Sequence, residues 1–148
     1  MLNNNVTEKK TKDNIVELHI KDPGFSVTEA FNTLRTNIMF SGENIKTVMV
    51  TSTNPAEGKS FVAMQLAKSF ADINKKVVYI DCDLRKSVTL SRYKIRGKRV
   101  GLTEYITGQK SQLIYETNIP NLAVILSGHV VPCLLYTSDA ADDLIGVD

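Results

Sequence analysis

The sequence of 148 residues has little cysteine and no tryptophan; its two cysteines are Cys82 and Cys133. Two cysteines cannot build the disulfide framework of a small secreted domain, so we expect a protein of a reducing compartment. The sequence also lacks a run of about 18 apolar residues, and its polar start lacks a signal-peptide pattern, so neither a membrane span nor a secretory signal is predicted. The formal net charge of +2 is too small to indicate a nucleic-acid partner, and we expect none.

Composition divides the chain into three parts. Residues 1–22 contain few large apolar side chains and end at a turn signal, Asp22-Pro23-Gly24, so they are interpreted as a mobile leader. Residues 133–148 contain four aspartates and no basic residue, and they continue no pattern set up before Pro132. They resemble the translation of sequencing-adapter DNA, and we expect a non-native tail. A short native amphipathic segment is the alternative.

Between these ends, apolar runs typical of strands alternate with helical patterns. Apolar residues at helical spacing predict a helix over residues 27–40, with Ser26 and Glu29 as a possible capping box. Uninterrupted apolar runs predict three strands buried on both faces, over residues 47–51, 77–80 and 122–126. This alternation indicates an α/β fold with a parallel sheet flanked by helices. The remaining predicted helices are one with the stripe Val62, Leu66, Phe70 and Ile73, and two short ones over residues 88–93 and 102–107.

The loop between the first strand and its helix has the spacing of a phosphate-binding loop. Its sequence TNPAEGKS, residues 53–60, fits the Walker A pattern except that Thr53 stands where glycine is usual. Backbone N–H groups of such a loop and of the helix that follows it bind phosphate oxygens. In this pattern Lys59 reaches the β- and γ-phosphates and the Ser60 hydroxyl ligates Mg²⁺. The predicted nucleotide-binding residues are Asn54, Pro55, Ala56, Glu57, Gly58, Lys59 and Ser60.

Two aspartates follow the second strand directly. Asp81 and Asp83 are two residues apart, so both project to one side if the strand geometry persists. In a parallel sheet we expect them beside the carboxyl end of the first strand, where ligands bind. Carboxylates there can ligate Mg²⁺ or accept a proton from an attacking hydroxyl. The alternative is a helix cap and a solvated turn.

A buried strand that ends in D-x-D-x-R after a G-K-S loop resembles the Walker A′ motif of bacterial tyrosine kinases of the capsule and exopolysaccharide type. The likeness covers nearly all of residues 22–132 and includes GLTEYITG, residues 101–108, and NLAVILSG, residues 121–128. Residues 27–40 are similar to the family's first helix, whose E-x-x-R-x-x-R motif mediates self-association. The corresponding residues are Glu29, Asn32 and Arg35, with Asn32 in place of the first arginine. Other departures are Ala56 for glycine, Ser87 for proline and Leu90 for histidine.

The resemblance implies an autophosphorylating protein-tyrosine kinase that uses ATP and Mg²⁺ to regulate capsular or exopolysaccharide synthesis. It assigns Lys59, Asp81 and Asp83 to catalysis, with Asp81 favoured as base and Asp83 joining Ser60 at the metal. It further implies self-association, protein tyrosine substrates, a cytoplasmic location and a membrane-spanning activator that holds the kinase at the inner face of the membrane.

The family's Walker B strand and tyrosine-rich tail do not follow Pro132 in this sequence. The resemblance therefore implies a C-terminally truncated domain over residues 23–132, with an exposed sheet edge beside the loop strand. For residues 133–148 we expect mobility, and for this chain by itself no kinase turnover.

Two other functions fit parts of the pattern. A switch ATPase of the partitioning or septum-site kind shares the loop and the D-x-D strand. Such proteins usually carry a second lysine early in the loop, where Asn54 stands here, which argues against them. A non-catalytic module that self-associates through residues 27–40 needs no chemistry at all.

Overall fold

The computed structural model describes residues 15–42, 44–97, 99–109, 113–130 and 143–147. Its helices are α1 (Phe25–Ser41), α2 (Lys59–Ala71), α3 (Thr89–Arg92) and α4 (Leu102–Ile106). Its strands are β1 (Ile15–Val16), β2 (Thr47–Val50), β3 (Val77–Ile80), β4 (Ile114–Thr117), β5 (Leu122–Ile125) and β6 (Asp143–Val147). All three strands and all four helices expected from the sequence are present, whereas β1, β4 and β6 were not predicted.

The six strands form one mixed sheet in the order β1-β4-β5-β3-β6-β2. Strand β3 is parallel to β5, and β6 is antiparallel to both β3 and β2, so β2, β3 and β5 share one direction. Strand β4 is antiparallel to β5 and β1 is parallel to β4. The predicted strands are therefore parallel to one another, and their carboxyl ends lie at one edge of the sheet.

Helix α2 forms the centre of the core. Its buried face packs against β3, β6, β2 and β5, and small Ala63 and Ala67 allow a close approach to the sheet. Met64 and Leu66 are almost completely buried, and each contributes on the order of 2 kcal/mol by leaving water. Ile73, which the sequence placed on this stripe, lies beyond the end of the helix and is 37% exposed.

Helix α1 lies outside α2 and has no buried residue. Each of its ends agrees with the prediction within two residues, but the predicted capping box of Ser26 and Glu29 does not form. The helix begins after Gly24, whose carbonyl oxygen accepts from the Thr28 N–H at 3.0 Å. The Asp22 carboxylate accepts from the Gly24 N–H at 2.9 Å, so the turn before the helix is held by Asp22 instead.

The prediction that the first strand is buried on both faces is wrong. Along β2, Thr47 and Met49 are exposed, Met49 by 56%, while Val48 and Val50 are half-buried. Strand β2 is at the edge of the described sheet, and α2 packs on it. An uninterrupted apolar run indicates a strand, but it does not indicate whether other elements pack on both faces of that strand.

Residues 15–22 were expected to belong to a mobile leader, but in the structure they pack against the rest of the chain. Val16 and Leu18 are only 1% and 3% exposed, and β1 pairs with β4. The Leu18 N–H donates to the Asn118 side-chain oxygen at 2.8 Å. These two apolar residues alternate with polar Glu17 and His19, so a short stretch buries one face despite its polar composition. Residues 1–14 lie outside the described residues.

The edge of β2 that faces β3, which was expected to be exposed, is covered, because β6 pairs antiparallel with both β2 and β3. The other edge of β2 is an edge of the described sheet. Unpaired backbone groups at a strand edge accept any extended segment, so this pairing does not depend on a specific sequence. Residues 133–142 and 148 lie outside the described residues, and the non-native origin of residues 133–148 stays a prediction. Across the described parts of the chain, no helix is long and apolar enough to cross a membrane.

Candidate functional site

The predicted phosphate loop joins β2 to α2 at the carboxyl edge of the parallel strands. Gly58 immediately precedes α2 with φ of 92°, in the left-handed region that glycine adopts without strain. No side chain caps this end of α2, and the Gly58 carbonyl oxygen accepts from the Val62 N–H at 2.9 Å. The uncapped first turn leaves backbone N–H groups and the positive end of the helix dipole available to an anion.

The Lys59 side chain folds back over the loop. Its Nζ donates to Ser52 Oγ at 3.0 Å and to the Asn54 carbonyl oxygen at 3.4 Å. Ser52 Oγ in turn donates to the same carbonyl oxygen at 2.9 Å. The ammonium group is thus held over the backbone that is predicted to surround phosphate. Ser52 was not among the predicted site residues, although its hydroxyl group just before the Walker A residues was a signal for it.

Glu57 and Asn54 hold the shape of the loop. The Glu57 carboxylate accepts from the Asn54 side-chain amide at 3.0 Å and from its backbone N–H at 3.3 Å. These hydrogen bonds, with smaller effects of Ser52 and Lys59, keep the pKa of Glu57 below its ordinary value. The loop therefore has a defined conformation although residues 53–57 are exposed.

Asp81 is buried immediately after β3, with 1% of its surface exposed. One carboxylate oxygen accepts from the Asp83 N–H at 3.1 Å, and the other accepts from the Ser87 hydroxyl. Burial raises the pKa of Asp81 above its ordinary value, and hydrogen bonds from Ser87, Thr89 and Asp83 offset part of that rise. Ser87, at the position where the family has proline, is therefore a direct partner of the predicted base.

Asp83 is half-buried and closes a turn. One of its oxygens accepts from the Arg85 N–H at 3.2 Å and from the Lys86 N–H at 2.9 Å. This is the solvated-turn arrangement named as the alternative to a metal ligand. The turn fixes the position of the carboxylate, so the alternative and the functional interpretation are compatible.

The loop and the aspartates lie at one edge of the sheet but not on neighbouring strands. Strand β6 separates β2 from β3, so the strand axes are roughly 10 Å apart, which is two strand spacings. The expectation that the second strand lies directly beside the first is wrong. In the register of the sheet, Asp143 is opposite Val50, and Leu144 is opposite Ile80.

The donor set fits a Mg²⁺ ion that arrives with a nucleotide. Within the described ranges no group of three or more His, Cys, Asp or Glu side chains is placed to hold a metal ion. Mg²⁺ is usually held by one or two carboxylates, water and substrate phosphates, and does not need such a group. The Ser60 side chain is half-buried at the start of α2, and its carbonyl oxygen accepts from the buried Tyr93 hydroxyl at 3.0 Å. Tyr93, which the sequence did not single out, thereby helps to fix Ser60.

The three predicted self-association residues are linked within the chain. The Asn32 amide donates to the Glu29 carboxylate at 3.0 Å, and the Arg35 guanidinium donates to the Asn32 side-chain oxygen at 3.0 Å. Arg35 also donates to the carbonyl oxygen of Ser69 on α2 at 2.7 Å. They form one hydrogen-bonded row along α1, and at least Arg35 stabilises the packing of α1 on α2.

A strand, a loop with an inward-facing lysine and a helix, set in a sheet with parallel strands, define an α/β protein of the P-loop type. Tyrosine-protein kinase CpsD of Streptococcus pneumoniae serotype 4 is 45% identical over 106 residues, or 70% of this chain and 47% of that protein. Tyrosine-protein kinase YwqD of Bacillus subtilis is 39% identical over 109 residues, or 71% of this chain and 46% of that protein. The matched part of the chain therefore belongs to the bacterial tyrosine kinase family, and the resemblance drawn from the sequence is confirmed.

Solved structures agree with this assignment. The kinase domain of Escherichia coli tyrosine kinase ETK superposes with a TM-score of 0.67 at 32% identity, covering 74% of this chain and 44% of that one. No family model matches the chain. The chain spans about half the length of the curated relatives that it matches.

Proposed function

We propose that this chain forms the nucleotide-binding part of an autophosphorylating protein-tyrosine kinase that regulates capsular or exopolysaccharide synthesis. The observation that carries the proposal is the Lys59 ammonium held over the loop by Ser52 Oγ and the Asn54 carbonyl oxygen, beside an uncapped helix. Its relatives are named tyrosine-protein kinases, including a putative one named CapB in Staphylococcus aureus.

Phosphate binding follows from the loop and the start of α2. Backbone N–H groups of residues 56–60 donate to phosphate oxygens, and Lys59 exchanges its two neutral partners for β- and γ-phosphate oxygens. The exchange replaces uncharged acceptors by anionic phosphate oxygens, so that the donor and the acceptor of each hydrogen bond are both charged. When bound, ATP with Mg²⁺ supplies the phosphoryl group, and Ser60 and Asp83 are the residues that would hold the ion.

Asp81 is the proposed proton acceptor for a tyrosine hydroxyl. Its pKa is raised by burial, and a carboxylate with a higher pKa accepts a proton more readily. Ser87 fixes the orientation of one carboxylate oxygen by its hydrogen bond. Asp83 is half-buried and held by its turn, and it is the proposed carboxylate ligand of Mg²⁺.

The proposal includes partners that lie outside the chain. We propose a membrane-spanning activator that holds the kinase at the inner face of the membrane, and self-association through Glu29, Asn32 and Arg35. We also propose that kinase activity requires a longer protein and that this 148-residue chain has no kinase turnover by itself. Asp81 and Asp83 follow β3, which β6 separates from the loop strand β2, and metal-dependent phosphoryl transfer needs carboxylates in position beside the phosphates.

The experiment is phosphotyrosine detection after incubation with ATP and Mg²⁺, on a full-length version of the protein. The variants are Lys59→Met and Asp81→Asn, and the control is Lys68→Met, which removes a half-buried lysine that pairs with Asp72, the residue that follows α2. We expect both site variants to lose phosphotyrosine and the control to keep it. A full signal in Lys59→Met contradicts the proposed function.

A further inference from the structure

The start of α4 is fastened to the segment that follows β5. The Leu102 N–H donates to the Leu126 carbonyl oxygen at 2.8 Å, and the Thr103 N–H donates to the Ser127 carbonyl oxygen at 3.0 Å. The Thr103 hydroxyl donates to the same Ser127 oxygen at 2.8 Å. These bonds join GLTEYITG to NLAVILSG, the two matching segments to which the proposed function gives no role.

Two glycines allow this close approach. A Cβ atom on Gly101 would lie 2.2 Å from the Gly128 nitrogen and 2.3 Å from the Leu126 carbonyl oxygen. A Cβ atom on Gly128 would lie 2.2 Å from a carboxylate oxygen of Glu104, and Gly128 has a φ of 87°. The place where residues 101–104 contact residues 126–129, called the corner below, therefore has one fixed geometry.

Glu104 uses both of its oxygens in this corner, and 6% of its surface is exposed. One oxygen accepts from the Gly101 N–H at 2.7 Å, and the other accepts from the His129 N–H at 2.9 Å and contacts the His129 ring at Nδ1. Burial raises the pKa of Glu104, but the bonds from His129 and Gly101 outweigh it and hold the pKa at about 2. An ionised Glu104 orients the imidazole through Nδ1, which leaves Nε2 as the outward nitrogen.

A cavity of about 410 Å³ opens beside this corner. The Arg99 guanidinium on its wall stacks over the Tyr115 ring, 5.5 Å from the ring centroid. The Tyr115 hydroxyl is itself fixed, since it accepts from the Val100 N–H at 3.0 Å and donates to the Val100 carbonyl oxygen at 3.1 Å. Besides Glu104, the cavity is lined by Arg99, Val100, Thr103, Thr107, Gln109 and His129.

We propose that this cavity binds a phosphate monoester carried on an aromatic ring, such as the side chain of a phosphotyrosine residue. Arg99 offers the planar fork that pairs with phosphate oxygens, and the Gln109 amide supplies a further donor. Because Nδ1–H of His129 is directed to Glu104, Nε2 donates to a phosphate oxygen in the imidazolium form and accepts the O–H of the phosphate monoester in the neutral form. Val100 provides an apolar wall for the ring. The choice of an aryl phosphate rests on the proposed function, because tyrosine phosphorylation produces that group.

The cavity is separate from the phosphate loop. It adjoins the end of β5, which is three strands from β2, so the strand axes are roughly 14 Å apart. A phosphate bound there does not occupy the nucleotide position. The cavity would hold the phosphorylated product, or a phosphorylated segment of another copy, while the loop binds nucleotide.

The test is a titration of the 148-residue chain with phenyl phosphate, inorganic phosphate and tyrosine, followed by amide NMR shifts at Gly128 and Gly58. We expect saturable shifts at Gly128 with phenyl phosphate, and binding at least about ten-fold weaker for inorganic phosphate and for tyrosine. Equal affinity for inorganic phosphate overturns the aryl part of the proposal, and no shift at Gly128 overturns the site. A shift confined to Gly58 means binding at the loop alone and also overturns it.

Matched variants identify the residues. Arg99→Gln and His129→Gln should each weaken phenyl phosphate binding about ten-fold, the loss expected for a hydrogen bond to a charged group. The controls are Arg96→Gln, an exposed arginine three residues before Arg99, and His19→Gln, an exposed histidine that pairs with Glu17. Equal effects in variants and controls contradict the assignment. ATP titration of the same samples reports separately on the proposed function, because a failure at Gly58 leaves the result at Gly128 intact.

Discussion

The Arg35 guanidinium on α1 donates a 2.7 Å hydrogen bond to the carbonyl oxygen of Ser69 on α2. Arg35 belongs to the row that the family resemblance assigns to self-association, yet in this chain it connects two of its own helices. Helix α1 has no buried residue, and this bond joins the edge-to-face contact of Phe31 with Phe61 in holding it on α2. One residue can therefore affect both folding and assembly, and the two effects need separate measurements.

Arg35→Ala should lower the free energy of unfolding by about 1–2 kcal/mol, because a charged donor to a half-buried carbonyl group is lost. Urea denaturation followed by circular dichroism measures the change. Arg96→Ala removes an exposed arginine and is the control, with an expected change within about 0.5 kcal/mol. An equal loss in both variants would show that the bond to Ser69 does not stabilise α1.

Asn32→Arg should strengthen self-association. Asparagine hydrogen-bonds Glu29 within the helix, whereas arginine can form a two-pronged ion pair with a carboxylate of a neighbouring copy. Sedimentation velocity over a concentration series compares the variant with the parent chain. Asn37→Arg, on the same helix but outside the row, controls for added charge. No gain over this control would argue against an interface through Glu29, Asn32 and Arg35.

Lys59→Met should weaken ATP binding by at least about ten-fold while the thermal unfolding temperature stays close to that of the parent. Among the described residues, the hydrogen bonds of its ammonium go to loop groups, Ser52 Oγ and the Asn54 carbonyl oxygen, so it contributes little to the core. A lost charge-assisted phosphate contact accounts for the loss of affinity. Calorimetric titration measures it, with Lys68→Met as the control. Unchanged affinity would mean that nucleotide does not bind at this loop.

Gly101→Ala should destabilise the chain by about 2–3 kcal/mol, because the added Cβ would meet backbone atoms of Leu126 and Gly128 that cannot move away freely. Gly42→Ala is the matched control, since its nearest neighbour would be a side-chain atom of Ile45 at 3.5 Å, an ordinary contact. Denaturation midpoints compare the two variants. A small effect at Gly101 would mean that the corner between α4 and β5 is adaptable.

Stability should depend on Glu104 in the acid range. Its pKa is about 2 when folded and 4.5 when unperturbed, so its contribution is fully present above pH 4.5 and is lost as the pH falls towards 2. Glu104→Gln should be less stable at neutral pH and should lose less stability over that window than the parent chain. Glu17→Gln, at an exposed glutamate, is the control. Parallel pH profiles for the parent and Glu104→Gln would contradict the lowered pKa.

Local sequence signals predicted the elements around the site. The apolar run of residues 77–80 predicted strand β3 with the bounds that are observed. The stripe of Val62, Leu66 and Phe70 predicted helix α2. The G-K-S spacing placed Lys59 at the first turn of that helix, as observed. Each of these features depends on side chains near in sequence, because helix periodicity, strand propensity and loop spacing are local properties.

Features that depend on distant residues could not be predicted. The bond from Arg35 to Ser69 crosses 34 positions, and the pairing of Leu18 with Asn118 crosses 100. The exposure of Met49 depends on which elements pack on β2. The position of β6 in the sheet depends on which strand edges are free to pair with it. None of these has a signature in a short window of sequence.

The sequence by itself determined the strand–loop–helix unit, the position of Lys59 and the family to which the matched part belongs. Only the tertiary structure decided that β6 separates the loop strand from Asp81 and that Glu104 orients His129 beside Arg99. The reason is physical: propensity and spacing act along the chain, whereas hydrogen bonds, burial and pKa shifts depend on which distant groups meet when the core forms.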